Sequence, residues 1–201
     1  MSSLNQQASE SRIHVYAGRR GAGKSYLMAR HTEKLIESGH FANCVVFDPM
    51  VCLPDWQSLA DEHKMRLRYI EFDFTTRQPK PGIPFGKPTS RNDVDWRRTL
   101  YVFDEIDLLC DPNKIHSALA CIINYSRHWG CTVLANFRRF ARIHKDLEGL
   151  ATDYYIFQMV APRDTNAVES ILSGIPDTEG REVSVARVKA LPVYHHIHVT
   201  L

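Results

Sequence analysis

The sequence feature that most constrains the fold is a glycine-rich segment at residues 18–25, which reads GRRGAGKS. It matches the pattern G-x-x-x-x-G-K-[ST] and lies between a β-rich run at residues 13–17 and a helical pattern that begins near Gly23. A strand, a glycine-rich turn and a helix in this order form a phosphate-binding loop, because the glycines let backbone N–H groups surround a phosphate at the helix N-terminus. We therefore predict a nucleoside triphosphate site, with Lys24 on the β and γ phosphates and Ser25 on Mg²⁺. The predicted nucleotide contacts are Gly18, Arg19, Arg20, Gly21, Ala22, Gly23, Lys24, Ser25 and Tyr26.

Two adjacent carboxylates follow an apolar run later in the chain. Residues 100–103 read LYVF and are followed by Asp104 and Glu105. Ligands of open α/β sheets bind at the carboxyl ends of the strands, so both side chains are expected at the phosphate site. Asp104 is predicted to hold the Mg²⁺ shell and Glu105 to polarise a water for attack on the γ-phosphate, which indicates ATP hydrolysis. Without the phosphate loop, the pair would also fit a solvated turn or a helix cap.

Two further polar residues are candidates for the same chemistry. The strand predicted at residues 131–135 ends at Asn136, at the sheet edge where its amide can hydrogen-bond the γ-phosphate; a plain turn residue is the alternative. Arg127 ends the preceding helix and either caps the helix carbonyls or reaches the nucleotide of a neighbouring subunit as an arginine finger. Both interpretations stay open for each residue.

Strand-like and helix-like segments alternate along the chain. Apolar runs separated by helical patterns predict an α/β fold with a mainly parallel sheet covered by helices on both faces. The 201 residues, 44% hydrophobic and 24% charged, suit one domain of generous size. Besides the first strand, the predicted strands are at residues 44–47, 67–72, 100–103, 131–135 and 154–157, and the predicted helices include residues 56–60 and 113–129.

The predicted organisation has four parts. Residues 1–11 form a polar tail, and residues 12–175 form the ATPase core. Within the core, residues 77–96 form an exposed loop, because four prolines and two glycines interrupt the periodicity there. Residues 176–201 are predicted to be a C-terminal β extension of the same domain, since residues 182–199 alternate apolar and polar side chains as an edge hairpin does.

The composition excludes some classes of protein and leaves the partner open. Lys+Arg total 25 against 23 Asp+Glu, a net charge of +2, so any polyanion must be bound by a local basic patch. The five cysteines include no C-x-x-C and mostly lie in apolar runs, which is typical of reduced core residues of an intracellular protein. The polar N-terminus and the lack of an apolar run of about 18 residues predict neither a secretory signal nor a transmembrane segment.

Taken in order, these motifs resemble the FtsK/HerA superfamily of ring-forming DNA-pumping ATPases, most closely the small genome-packaging ATPases of membrane-containing icosahedral viruses. The resemblance covers residues 12–175. The phosphate loop and the Asp-Glu pair are generic to P-loop NTPases, whereas the later motifs are more particular to this superfamily. Those motifs are Phe47-Asp48-Pro49, Ser126-Arg127-His128-Trp129-Gly130, Asn136-Phe137-Arg138-Arg139, Ile143-His144-Lys145-Asp146-Leu147, Tyr155-Ile156-Phe157 and Pro162-Arg163-Asp164.

The resemblance implies a RecA-like (ASCE) P-loop core that acts as a ring, commonly a hexamer, and drives double-stranded DNA through its centre. It implies that Lys24, Ser25 and Asp104 bind MgATP, that Glu105 activates water and that Asn136 is the sensor. Its trans-acting finger would be Arg127, with Arg138 and Arg139 as alternatives. The family usually has Gln at the sensor position, where this chain has Asn136. The family also implies capsid vertex proteins as partners and a location in the host cytoplasm or the virion.

Two basic segments are candidates for contact with DNA. Phe137 and Phe140 are interleaved with the first segment, and the second lies in the proline-rich loop. Either segment could contact phosphates without reading sequence, and a solvated basic face or a subunit interface is the alternative for each. The first segment contains Arg138, Arg139, Arg142 and Lys145, and the second contains Arg77, Lys80, Lys87 and Arg91.

Other functions fit parts of the sequence. A small-molecule P-loop kinase shares the phosphate loop, but such kinases usually lack a glutamate after the aspartate. A phage assembly ATPase similar to zonula occludens toxin normally carries a transmembrane helix, and an ATP-binding scaffold without turnover would not need Glu105. His195, His196 and His198 suggest a zinc site, but no nearby cysteine or carboxylate in the sequence completes a ligand set, so packing or surface roles are favoured.

Overall fold

A seven-stranded sheet forms the centre of the computed structural model, which describes residues 11–80 and 97–201. All its pairings are parallel except that of the last two strands in the chain, β10 and β11. The strands are β1 (Ile13–Ala17), β2 (Asn43–Phe47), β3 (Arg66–Tyr69), β4 (Phe72–Asp73), β5 (Gln78–Pro79), β6 (Thr99–Phe103), β7 (Cys110–Asp111), β8 (Lys114–Ile115), β9 (Thr132–Phe137), β10 (Asp153–Phe157) and β11 (His196–Thr200). The order across the sheet is β11-β10-β1-β9-β6-β2-β3, and β4-β5 and β7-β8 are separate short hairpins.

Helices cover both faces of this sheet. The helices are α1 (Lys24–Glu37), α2 (Gln57–Glu62), α3 (Ser117–Trp129), α4 (Lys145–Leu150), α5 (Pro162–Leu172) and α6 (Val185–Ala190). On one face, Met28 and Ile36 of α1 pack against the strands together with Val46 and Val102. The apolar residues of α3, α4, α5 and α6 join the core of the other face. The predicted α/β class, a mainly parallel sheet between helices, is confirmed.

The strand order places polar residues from several strands at one edge of the sheet. β9 lies between β1 and β6, although it follows both in the chain. Because these strands are parallel, the phosphate loop after β1, the carboxylates after β6 and the end of β9 all meet at the carboxyl edge. β9 thus separates β1, which leads into the phosphate loop, from β6, which leads to Asp104.

The boundaries of α3 and β9 are among those that differ from the prediction. The helix predicted from residue 113 begins at Ser117, because Asp111 Oδ1 accepts hydrogen bonds from the backbone N of Asn113 (2.9 Å) and Lys114 (3.0 Å) and closes the β7-β8 turn. The strand predicted to end before Asn136 continues through it to Phe137, paired with β1. Asn136 is therefore a strand residue.

The predicted C-terminal hairpin at residues 182–199 is wrong. Its first part is the helix α6, for which Ser184 is the N-cap and accepts a hydrogen bond from Arg187 N at 3.3 Å. Only β11 is a strand, and it extends the sheet by pairing with β10. The run predicted at residues 67–72 is divided between β3 and β4, and β5 lies inside the predicted loop. The predicted tail, apart from Ser11, and residues 81–96 of that loop lie outside the described residues.

The cysteine prediction is correct in part. All five are free thiols, and Cys44, Cys110 and Cys131 are buried as expected. Cys52 is exposed and Cys121 is half-buried, so these two are not core residues. Within the two described ranges, no helix is both long enough and apolar enough to cross a membrane.

Acidification is expected to destabilise the fold through two partly buried histidines, His14 and His31. Burial lowers the pKa of His14 to about 4, and burial lowers that of His31 to about 4 as well. The unfolded chain, with histidine pKa values near 6.5, binds more protons between pH 6.5 and 4, so the free energy of unfolding falls as the pH falls. At pH 5 His14 should lower the free energy of unfolding by about 2 kcal/mol, and the more solvent-exposed His31 by less.

Urea denaturation of the wild type and of His14→Gln at pH 7 and pH 5 checks this expectation. Between the two pH values the variant should lose about 2 kcal/mol less of its free energy of unfolding than the wild type. An equal loss in both proteins would show that His14 does not titrate with unfolding.

Candidate active site

The phosphate loop connects β1 to α1, and its glycines are required by close contacts. A Cβ atom on Gly18 would lie 2.6 Å from Phe157 Cβ, closer than carbon atoms approach without displacement. Gly23 has a left-handed φ of 103°, and a Cβ there would lie 2.7 Å from the ring of Tyr194. Neighbouring side chains therefore hold this loop tightly, and only glycine fits at these two positions.

Lys24 begins α1 and points into the loop. Its side chain is buried, and Nζ donates a hydrogen bond to the backbone oxygen of Arg19 at 3.0 Å. Burial lowers the pKa of Lys24, and the nearby carboxylates of Asp104 and Glu105 oppose this shift. An ammonium group spanning the loop between backbone and carboxylates is placed to contact a phosphate bound there.

Ser25, Asp104 and Asn136 form one hydrogen-bonded cluster. Ser25 Oγ donates to Asp104 Oδ1 at 3.0 Å, and Asn136 Nδ2 donates to Ser25 Oγ at 3.2 Å and also to Asp104 Oδ1. Asp104 is 1% exposed; burial raises the pKa of this carboxyl, and the hydrogen bonds from Asn136 and Ser25 oppose the rise. The structure thus brings together three residues that lie far apart in the sequence.

This cluster fits a Mg²⁺ ion that accompanies a phosphate. Carboxylate and hydroxyl oxygens are the ligands that Mg²⁺ prefers, and it usually binds with one or two carboxylates and the substrate phosphates. Asn136 Oδ1 is buried and has no hydrogen-bond partner within the described part of the chain. One acceptor at the site is therefore still unused. Ser25 and Asp104 are the residues that would hold the ion.

Glu105 is the second residue after β6 and has a left-handed backbone, with φ 61° and ψ 42°. Its side chain is 19% exposed and forms an ion pair with Arg138 Nε, and the hydrogen bond with Glu105 raises the pKa of Arg138. Arg138 also donates its backbone N–H to Asp107 Oδ2 at 2.8 Å. The structure therefore places Arg138, a candidate for DNA contact or for the finger, against the candidate general base.

Asp48 is a site residue for which the sequence suggested no chemical role. Its motif, Phe47-Asp48-Pro49, contributed only to the resemblance. Ligand atoms of Asp48, Cys52 and Asp104 lie within 4.8 Å of one another. The carboxylate of Asp48 also accepts hydrogen bonds from the backbone N of Cys52 (3.0 Å) and Leu53 (2.7 Å), which shape the loop beside Asp104. A polar residue directly after β2, at the same edge as Asp104, is the signal that could have identified it.

The other basic candidates are distributed differently. Arg139 pairs with the buried Asp164, with Nε to Oδ2 at 3.1 Å, and Lys80 pairs with Glu71 at 2.7 Å. Arg142 and Lys145 are exposed. Arg77 is exposed, and Lys87 and Arg91 lie outside the described residues. Arg139 and Lys80 thus already have carboxylate partners.

Arg127 lies at the opposite, amino edge of the sheet. It is exposed and lines a cavity of about 480 Å³ with Ser11 and Ile13, at the start of β1, and with Thr152, just before β10. α3 runs antiparallel to the strands, so its end is far from the phosphate loop of the same chain. Arg127 is not brought together with the other predicted site residues.

The C-terminal histidines do have a carboxylate nearby, contrary to the expectation from sequence. His198 Nε2 lies 3.0 Å from Asp153 Oδ1, which also accepts a hydrogen bond from Thr200 Oγ1 at 3.0 Å. Burial by itself would raise the pKa of Asp153, but His14 and these hydrogen bonds lower it overall. His195 and His196 are exposed. His198 thus belongs to a network between strands, and the three histidines do not converge on one point.

The fold is that of the P-loop NTPases. No protein-family model matches the chain, and no curated protein matches it. Among solved structures, it is similar to the genome packaging NTPase B204 from Sulfolobus turreted icosahedral virus 2 in complex with sulfate, with a TM-score of 0.66, 16% identity and coverage of 94% of this chain and 90% of that one. The complex of the same NTPase with ATP-gammaS gives a TM-score of 0.65, 16% identity and coverage of 94% and 91%.

A second kind of structure shares the fold over less of its length. The N-terminal domain of zonular occludens toxin from Neisseria meningitidis has a TM-score of 0.51 and 15% identity, covering 73% of this chain and 76% of that one. At these identities the comparisons establish a common fold. The predicted resemblance to the viral packaging ATPases is confirmed as a resemblance of fold.

Proposed function

We propose that this chain is a Mg²⁺-dependent ATPase that assembles as a head-to-tail ring and translocates double-stranded DNA, packaging a viral genome into a preformed capsid. The observation that carries the ATPase part is the convergence of five side chains at one edge of the sheet. Lys24, Ser25, Asp104, Glu105 and Asn136 all lie there, and three of them are joined directly by hydrogen bonds.

Each of these residues has a role in hydrolysis. Lys24 exchanges its backbone acceptor, Arg19 O, for the β and γ phosphates of ATP. Ser25 and Asp104 hold Mg²⁺, which supplies positive charge and orientation to the phosphates. Glu105 accepts a proton from the attacking water, and Asn136 turns one amide N–H from Ser25 to donate a hydrogen bond to the γ-phosphate. For this step the carboxylate of Glu105 has to turn from Arg138 toward the water.

The position of Arg127 supports the proposed assembly into a ring. This residue lies at the amino edge of the sheet, while the phosphate loop lies at the carboxyl edge. A head-to-tail contact joins two different surfaces, and it closes into a ring when the rotation permits. Such a contact presents Arg127 of one subunit to the nucleotide of the next, where an arginine finger stabilises the charge of the transition state.

Exposed cations are the proposed contacts with DNA. Arg142 and Lys145 are exposed, and a ring repeats this pair around its axis, which provides a basic surface despite a net charge of only +2. Contacts of this kind bind phosphates without reading sequence. Capsid vertex proteins would be the docking partners, in the host cytoplasm or the virion.

The similarity to B204, described as a genome packaging NTPase, supports packaging over the alternatives because it extends over nearly the whole of both chains. The zonular occludens toxin domain matches a smaller share. A kinase would require a small-molecule phosphoryl acceptor, so adding such acceptors distinguishes it by experiment from an ATPase.

Mixing two inactive variants tests the ring directly. Arg127→Ala keeps its own Glu105 and lacks the finger, while Glu105→Gln lacks the base and keeps Arg127. Each alone should be nearly inactive, and an equal mixture should regain turnover, because about a quarter of the interfaces in random rings then have both groups. Lys34→Ala, which removes an exposed cation in the last turn of α1, is the control and should match the wild type.

Three results would contradict parts of this account. Wild-type turnover by Arg127→Ala alone would exclude Arg127 as the finger. A mixture no more active than its components would exclude a trans-acting Arg127, and phosphate transfer only to an added small acceptor would favour the kinase.

A further inference from the structure

The segment between α6 and β11 crosses the phosphate loop. Tyr194 donates its backbone N–H to Ala22 O at 3.1 Å, and His195 N donates to Pro192 O at 3.2 Å in the turn before β11. Tyr194 has a left-handed backbone, with φ 65°, which is uncommon for a residue other than glycine. The surrounding contacts therefore hold Tyr194 in one defined position on the loop.

The ring of Tyr194 lies against Gly23 at the start of α1. The position of a Cβ on Gly23 is 2.7 Å from Tyr194 Cδ1 and 3.5 Å from Cε1, so the edge of the ring takes the space that a side chain would fill. Tyr194 is nevertheless 69% exposed. Tyr26 is 67% exposed and lies three residues after Gly23, on the neighbouring side of the helix. Two exposed aromatic rings thus flank the first turn of α1.

Gln158 forms hydrogen bonds with both the phosphate loop and α6. Its backbone oxygen accepts a hydrogen bond from Arg19 N at 3.1 Å, and its side-chain Nε2 donates to Lys189 O at 3.0 Å. One residue after β10 therefore connects the phosphate loop to α6, which leads into the segment that contains Tyr194. The contact between Tyr194 and the loop is part of a connected framework.

The strand order indicates which part of a bound nucleotide reaches this place. β9 and β6, which carry Asn136, Asp104 and Glu105, lie on one side of β1, and β10 and β11 lie on the other. A triphosphate whose γ-phosphate is at the carboxylates runs across the loop, with its α-phosphate near the first turn of α1. On this path the nucleoside would leave on the side of β10 and β11, where Tyr194 lies.

We propose that Tyr194 is the aromatic platform on which the base of the bound nucleoside triphosphate stacks. This inference rests on the proposed function, because it requires the triphosphate to bind at the loop. A tyrosine side chain has only two torsion angles to order, so an exposed ring whose backbone is held at the loop loses little conformational freedom on stacking. Every nucleobase offers a π-face, so the platform binds the base without selecting strongly among bases.

The test compares the affinities for MgATP and for inorganic tripolyphosphate, which has no base, by isothermal titration calorimetry. Tyr194→Ala should weaken ATP binding about tenfold and leave tripolyphosphate binding unchanged. Tyr194→Phe keeps the ring and should bind ATP as the wild type does. Tyr125→Ala removes a half-exposed tyrosine that stacks on Trp129 of α3, and it should change neither affinity.

The outcomes separate the inference from the proposed function. Equal weakening of both ligands by Tyr194→Ala would show that the residue shapes the phosphate loop and would overturn the stacking role. Unchanged ATP affinity in Tyr194→Ala would also overturn it, while the ATPase proposal would stand. A wild type that binds neither ligand would overturn the proposed function and this inference together.

Discussion

Replacing Glu105 by Gln is expected to lower steady-state ATP turnover by a factor on the order of 10³, because an amide cannot accept the proton of the attacking water. ATP binding should persist, since Lys24, Ser25 and Asp104 are unchanged. The amide has nearly the same shape as the carboxylate, so the fold around β6 should be retained. Phosphate release checks the expected loss of turnover, and equilibrium binding of ATP, measured on the same preparation, checks that binding persists.

Glu62→Gln is the matched control for this substitution. Glu62 ends α2 and is exposed, and its replacement should leave turnover unchanged. If Glu105→Gln hydrolysed ATP at the wild-type rate, the assignment of Glu105 as general base would be wrong. If it lost ATP binding, the ion pair with Arg138 would be needed to shape the site.

Replacing Lys24 by Ala is expected to weaken MgATP binding by about 10–100-fold, the effect of losing about 1.5–3 kcal/mol from a hydrogen bond to a charged phosphate. Turnover at limiting ATP should fall by at least this factor. Thermal stability should not decrease, because burial lowers the pKa of Lys24 and thus disfavours its charged form in the folded protein. Calorimetric binding and a thermal melt measure the two quantities.

The control for Lys24→Ala is Lys34→Ala on the same helix, where the side chain is exposed. This variant should bind ATP with wild-type affinity. Unchanged ATP affinity in Lys24→Ala would contradict the phosphate site. A large loss of stability would show that the lysine holds the loop through Arg19, in which case its effect on binding would be indirect.

The phosphate loop and the Asp-Glu pair were predictable because their signals are local. A strand, a glycine-rich turn and a helix are adjacent in sequence, and the carboxylates follow an apolar strand directly. The insertion of β9 between β1 and β6 has no local signal, since strand order depends on packing of the whole sheet. The sequence therefore placed Asn136 near the correct edge but ended its strand too early.

Contacts between segments that are distant in the sequence could not be predicted from the sequence. Tyr194 bonds to Ala22 only because β11 returns the chain beside β10, and the pairing of His198 with Asp153 has the same cause. The helix α6 was mistaken for a strand because a short amphipathic segment fits either period. Ser184, its N-cap, was the available signal for a helix.

The measurement that tests the central claim most directly is steady-state phosphate release from MgATP by the wild-type protein, over a range of protein concentrations, with and without linear double-stranded DNA. A ring motor with a finger in trans predicts turnover per subunit that rises with protein concentration and rises further with DNA. Turnover that is independent of both, or that requires a small phosphoryl acceptor, would contradict the account.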